Sequence, residues 1–145
     1  GTWDGSDFVG GRELSAEVNN IEWNFANNGA VEFVPGGGDA YASRYIREAR
    51  SQTLKLDREL RDYILQQHID DNDDFGVYIL AEGGAIDGSH NYQVEIIFPK
   101  CAVLNAPLTV NGKRLGEAGD LLVMEDDTYG SVIAKVKNIQ SAYCG

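Results

Sequence analysis

The densest run of potential metal ligands in the chain is Asp70-Asp71-Asn72-Asp73-Asp74. Asp70, Asn72 and Asp74 match the alternating oxygen donors that open an EF-hand loop, the ligand type a hard cation such as calcium requires. The match then stops. Phe75 stands where the loop needs glycine for its sharp turn, and Ala81 stands where a bidentate glutamate must close the shell. The run reads as a solvated helix-to-strand turn. His68 and His90 have no cysteine or second histidine at ligand spacing, so no zinc site is expected. Gly36-Gly37-Gly38 lacks the Lys-Ser/Thr that follows in a P-loop, and no G-x-S-x-G marks a nucleophile elbow. Cys144 is too near the end of the chain to be held as a thiolate nucleophile. Glu125, Asp126 and Asp127 cluster, but among 23 acids such clustering arises by chance. The expectation is no enzyme, no cofactor and no metal.

The composition narrows the remaining classes. The 145 residues suit one domain able to build a core without staples, and 43% apolar with 24% charged content is that of a globular chain. Apolar runs such as Val94 to Phe98 fall far short of the roughly 20 residues a bilayer-spanning helix needs. The first residues lack a signal-peptide pattern and the only methionine is Met124, so the chain is expected to be processed from a longer product. Net charge is −11 and the 12 basic residues are scattered, which disfavours sequence-specific nucleic-acid binding. An acidic surface along which DNA slides is compatible with both. Two cysteines, Cys101 and Cys144, cannot make a disulfide framework, and Cys101 in an apolar strand reads as a small hydrophobe in a reduced compartment.

The elements that carry these residues are mostly strands. Glu17 to Phe25 alternates, Asn28-Gly29 follows, and Ala30 to Val34 is apolar again, which predicts a hairpin over about 16–34. Pro35-Gly36-Gly37-Gly38 breaks the pattern, and 35–50 reads as a long mobile loop or arm. Thr53 to Leu56 is a strand, Asp57 then caps a helix over about 58–68, and Leu60, Tyr63 and Ile64 form its core stripe. Strands follow at Phe75 to Ala81 and Tyr92 to Leu104, joined through a glycine-rich connection. Asn111-Gly112 predicts a second hairpin, and Leu121 to Glu125 and Val132 to Ile139 complete the set. The fold class is mainly β, a two-sheet β-sandwich or barrel of seven to eight strands with one flanking helix.

The order of these elements resembles the tail tube proteins of long-tailed bacteriophages. The residues that carry the resemblance are Leu54 to Tyr63, Gly76 to Ile79, Tyr92 to Cys101 and Val132 to Asn138, within about 50–140. It implies one tail-tube-like domain over 1–145, with 1–15 an N-terminal arm. It also implies a homo-oligomer of six-membered rings stacked into a tube, other tail proteins as partners, DNA passing without sequence-specific binding, and no membrane insertion. The place implied is the virion tail, assembled in the host cytoplasm. The 35–50 arm becomes the inter-subunit loop, with Tyr41, Arg44, Tyr45, Ile46, Arg47 and Arg50 as candidate interface residues. Two other readings stand beside it. One is a different component of the same fold, such as a tail terminator, a head decoration protein or a type VI secretion tube. The other is a carbohydrate-binding β-sandwich using Trp3, Trp23, Tyr41 or Tyr45 as stacking platforms.

Overall fold

The computed structural model describes residues 1–32, 44–88 and 90–139. In chain order the elements are β1 (Thr2–Trp3), β2 (Phe8–Val9), β3 (Val18–Ala26), β4 (Gly29–Glu32), β5 (Arg44–Arg47), β6 (Ser51–Glu59), α1 (Ile64–Asp71), β7 (Phe75–Asp87), β8 (His90–Asn105), β9 (Leu108–Asn111), β10 (Arg114–Val123) and β11 (Ile133–Lys137). Among the described residues the protein is mainly β with one short helix, as expected. Seven strands make one sheet curled into a half-barrel, and β1–β2 and β4–β5 are separate two-stranded ribbons.

The sheet runs β3-β6-β10-β8, with β7 on the far flank of β8. The sixteen-residue β8 changes partner along its length. Its first half pairs with β11 up to Ile97↔Ile133, and its second half pairs with β10 from Cys101↔Val123. Pro99 falls in the gap, where a missing N–H costs no ladder bond, and the β7 register shifts opposite it. Strict alternation sets the inner face. Gln52, Leu54, Leu56 and Arg58 are buried along β6, and Glu117, Gly119, Leu121 and Val123 along β10. Phe98 and Cys101 of β8 and Leu65 of α1 complete the core. Gly119 lets the helix approach, because a Cβ there would stand 2.8 Å from Leu65 Cδ1.

Four expected elements differ. The helix begins at Ile64, not near Arg58. Arg58 is in phase with Leu54 and Leu56, so the strand continues through it, and Asp57 pairs in the ladder with Ala118 and Asn20. Asp62 meets the helix start instead, its Oδ1 accepting the Ile64 N–H at 3.2 Å. The helix closes on Asn72 in the left-handed region (φ 49°).

The hairpin over 16–34 does not form. β3 pairs with β6, setting Ile21 against Leu56 and Trp23 against Leu54, and β4 pairs with β5. Gly29 does not take the positive φ a type I′ turn demands. A nine-residue partner strand that offers Leu54 and Leu56 outweighs a favourable two-residue turn. The part of the arm from Arg44 to Arg47 is accordingly a strand, in register with Gly29–Glu32, while 35–43 lies outside the described residues. The second hairpin does form between β9 and β10. Gly112 has φ 65° and the next loop residue, Lys113, is not in the positive region, the sign pattern of a type II′ turn. The glycine-rich connection after Ala81 is instead strand on both sides, absorbed by register shifts around Gly83-Gly84.

Candidate assembly surfaces and a buried ion network

Where β6 and β10 run past the last apolar pair, the two in-phase positions are charged. Arg58 and Glu117 lie directly opposite in the ladder and both side chains are fully buried. Arg58 Nε donates to Glu117 Oε2 at 2.6 Å, Nη1 to Glu17 Oε2 at 3.2 Å, and Nη2 to Asp62 Oδ1 at 3.0 Å and the Asp62 carbonyl at 2.9 Å. Arg12 closes the cluster from the surface, donating to Glu17 Oε1 at 2.9 Å and pairing with Asp62. A planar guanidinium is the side chain that can meet three separate carboxylates in this way. Glu117 Oε1 has no hydrogen-bond partner among the described residues. The network ties the 12–17 segment, the β6–α1 link and β10 together. Three acidic and two basic side chains meet there, and because burying charges costs desolvation such a cluster is by itself weak evidence of added stability. Sequence reasoning placed Arg58 on a helix and did not single out Glu117. The period-two phase with Leu54, Leu56 and Leu121 is the signal that reaches both.

Two of the six candidate interface residues have described side chains. Ile46 is half-buried opposite Ala30, and Arg50 is exposed on the link into β6. Arg44, Tyr45 and Arg47 are placed by backbone register opposite Glu32, Val31 and Gly29. Asn28 holds the base of this ribbon, its Nδ2 donating to the Ala49 carbonyl at 2.9 Å and its carbonyl accepting from Glu48. Tyr41 lies outside the described residues, as does Cys144.

An exposed apolar strand lies elsewhere. β3 ends the sheet order, and every residue from Asn19 to Phe25 is exposed. Ile21, Trp23 and Phe25, on one face by period two, are 38%, 40% and 46% exposed. Among the described residues the outer edge of β3 pairs with no strand, and such an edge is a template for another strand. The aromatic platforms are partly engaged within the chain. Lys135 Nζ stands 4.5 Å over the Trp3 ring, and Trp23 meets Phe98 edge to face at 5.5 Å. A groove of about 1040 Å³ runs between the N-terminal segment and the inner face of the sheet, bordered by Trp3, Phe8, Leu14 and Leu54.

The two ends of β10 differ in charge. At the Val123 end lie the acidic turns Asp70 to Asp74 and Glu125 to Asp127, with Lys100 pairing with Asp74 at 3.2 Å and its carbonyl accepting from Met124. The backbone N–H groups of Thr128 and Tyr129 hold the Asp126 carboxyl below the usual carboxylate range. His68, in the last turn of α1, stacks on Phe75 and contacts Asp73 at 2.6 Å. At the Arg114 end the exposed groups are Lys113, Arg114 and Arg61, the arginines near Glu59. Among the described residues no cluster of three or more His, Cys, Asp and Glu is placed to hold a metal ion, and no helix is long and apolar enough to cross a membrane. Burial pushes the Cys101 thiol up to about 12, with Asp74 adding to the shift, so this sulfur is an inert core group.

No family model and no curated protein matches the chain. Among solved structures, one described as "Crystal structure of Hcp protein" is similar over 79% of this chain and 74% of that one, at 13% identity and a TM-score of 0.38.

Proposed function

We infer that the chain is a structural subunit that assembles with copies of itself into a tube, and that it is not an enzyme. The observation that carries this reading is the β3 edge. A long strand with apolar residues exposed in series is an aggregation hazard in a monomer and a joint in an assembly. A neighbour whose other sheet margin meets β3 makes a heterologous contact, which closes into a ring when the rotation permits. The resemblance in element order to phage tail tube proteins supplies the finer form: six subunits per ring, rings stacked into a virion tail tube assembled in the host cytoplasm, and DNA as the cargo of the channel. Net charge −11 suits that cargo, because an acidic wall makes no phosphate contacts and releases no counterions.

The test is sedimentation velocity and negative-stain imaging of the full chain over a wide concentration range, beside Ile21→Lys and Phe25→Lys variants. Rings with six-fold symmetry in the parent chain, and monomers of unchanged circular dichroism in the variants, are the expected result. A parent chain that stays monomeric throughout refutes the reading.

A further inference from the structure

Beyond the lateral edge, the inner face of the sheet continues past the ion network into an uncovered apolar tip. In β9 and β10, Leu115 lies opposite Val110 and Glu117 opposite Leu108, so Leu108, Val110 and Leu115 share the face that buries Glu117. They are 53%, 75% and 54% exposed. Lys113 and Arg114 crown this tip, the latter 78% exposed. The opposite end of β10, about 30 Å away at the usual strand rise, carries the acidic turn Asp70 to Asp74, with Ile69 exposed among the acids.

We propose that the β9–β10 tip of one copy docks head to tail on the acidic end of α1 in a second copy. This rests on the self-assembly reading above and names the axial contact that lateral strand pairing cannot supply. The occupant follows from charge complementarity: a chain of net charge −11 repels its copies at most orientations, and the basic tip against the Asp70 to Asp74 end relieves that repulsion. Leu108, Val110 and Leu115 meet Ile69 at the centre of the contact and the charges ring it, the arrangement of a protein interface with an apolar core and polar rim. Because tip and acceptor are different surfaces, the contact repeats in one direction and fixes the polarity of the stack.

The experiment compares the full chain with K113E/R114E, with D70K/D71K, and with the four changes combined. All sites are exposed, and circular dichroism establishes folding first. Sedimentation and negative-stain lengths are read at low and high salt. The expected result is lateral oligomers in every variant, stacking weakened about tenfold or more in each double variant and by salt in the parent chain, and stacking restored when the four changes are combined. Stacking of K113E/R114E equal to the parent overturns the proposal and assigns the tip to a different partner protein. Loss without restoration in the combined variant overturns the pairing of these two surfaces. Either result leaves lateral self-assembly standing, whereas a parent chain that remains monomeric overturns both.

Discussion

Replacing Arg58 with methionine removes the one fully buried cation of the network while keeping most of its volume. Three carboxylates lose a partner. Glu17 and Asp62 retain Arg12 and some contact with water, but Glu117 is fully buried and has no other cation within 4 Å among the described residues. Breaking a buried pair from one side costs about 3–5 kcal/mol, because the surviving charge stays desolvated. Against a typical total stability of about 5–15 kcal/mol this is a large fraction, and in a chain of this length it lowers Tm by roughly 10 °C. The assay is urea and thermal denaturation by circular dichroism, at a concentration where sedimentation shows monomer. The double variant Arg58→Met/Glu117→Leu removes the stranded charge as well, and its loss should be about 1–2 kcal/mol, smaller than that of Arg58→Met alone. High salt should leave the difference nearly unchanged, since buried pairs are weakly screened. A loss below about 1 kcal/mol for Arg58→Met, or a double variant worse than the single, refutes the account of the network as a desolvated positioning lock.

Other consequences are simpler to read. Gly119→Ala puts a methyl against Leu65 and should destabilise by about 1–3 kcal/mol, while Gly119→Ala/Leu65→Ala should recover part of the clash; thermal denaturation measures both. The Cys101 thiol, raised to about 12 by burial, stays protonated in the fold while the unfolded chain ionises near its ordinary value of 9.0. The unfolded state then binds fewer protons, so this thiol's contribution is present below that value and is lost as pH rises from about 9 toward 12. Cys101→Ala should flatten that part of the stability profile, and in a Cys144→Ser background Cys101 should resist a thiol reagent at pH 8 until urea is added. Asp126→Asn removes a carboxyl held low by two backbone N–H groups, so the Asp126–Gly130 turn should show less acid sensitivity in amide exchange.

Residue type and spacing are enough to read the local β texture. The alternation of Glu17 to Phe25, the run from Tyr92 to Leu104, and Asn111-Gly112 each became strand or turn near the expected bounds, because side-chain period and glycine's tolerance of positive φ are short-range properties. The mismatch between Asp70 to Ala81 and an EF-hand pattern is equally a matter of residue type at fixed spacing. What local signals could not decide was which strand pairs with which. Asn28-Gly29 looks like a hairpin, yet β3 crosses to β6, because only the folded chain shows that Leu54 and Leu56 offer a longer apolar ladder than the short strand next door. Arg58 looks like the start of a helix because Asp57 before it suits a cap, whereas a buried strand arginine needs carboxylates in place. Of its three, only Asp62 is local; Glu17 lies 41 residues before it and Glu117 59 residues after it. The β3 edge and the β9–β10 tip, as further candidate surfaces, escaped local signals for the same reason. Whether Ile21 or Val110 is core or surface depends on which element covers it, and in this fold Leu65 of α1 joins Leu54 and Leu121 in the core cluster while Ile21 and Val110 remain exposed.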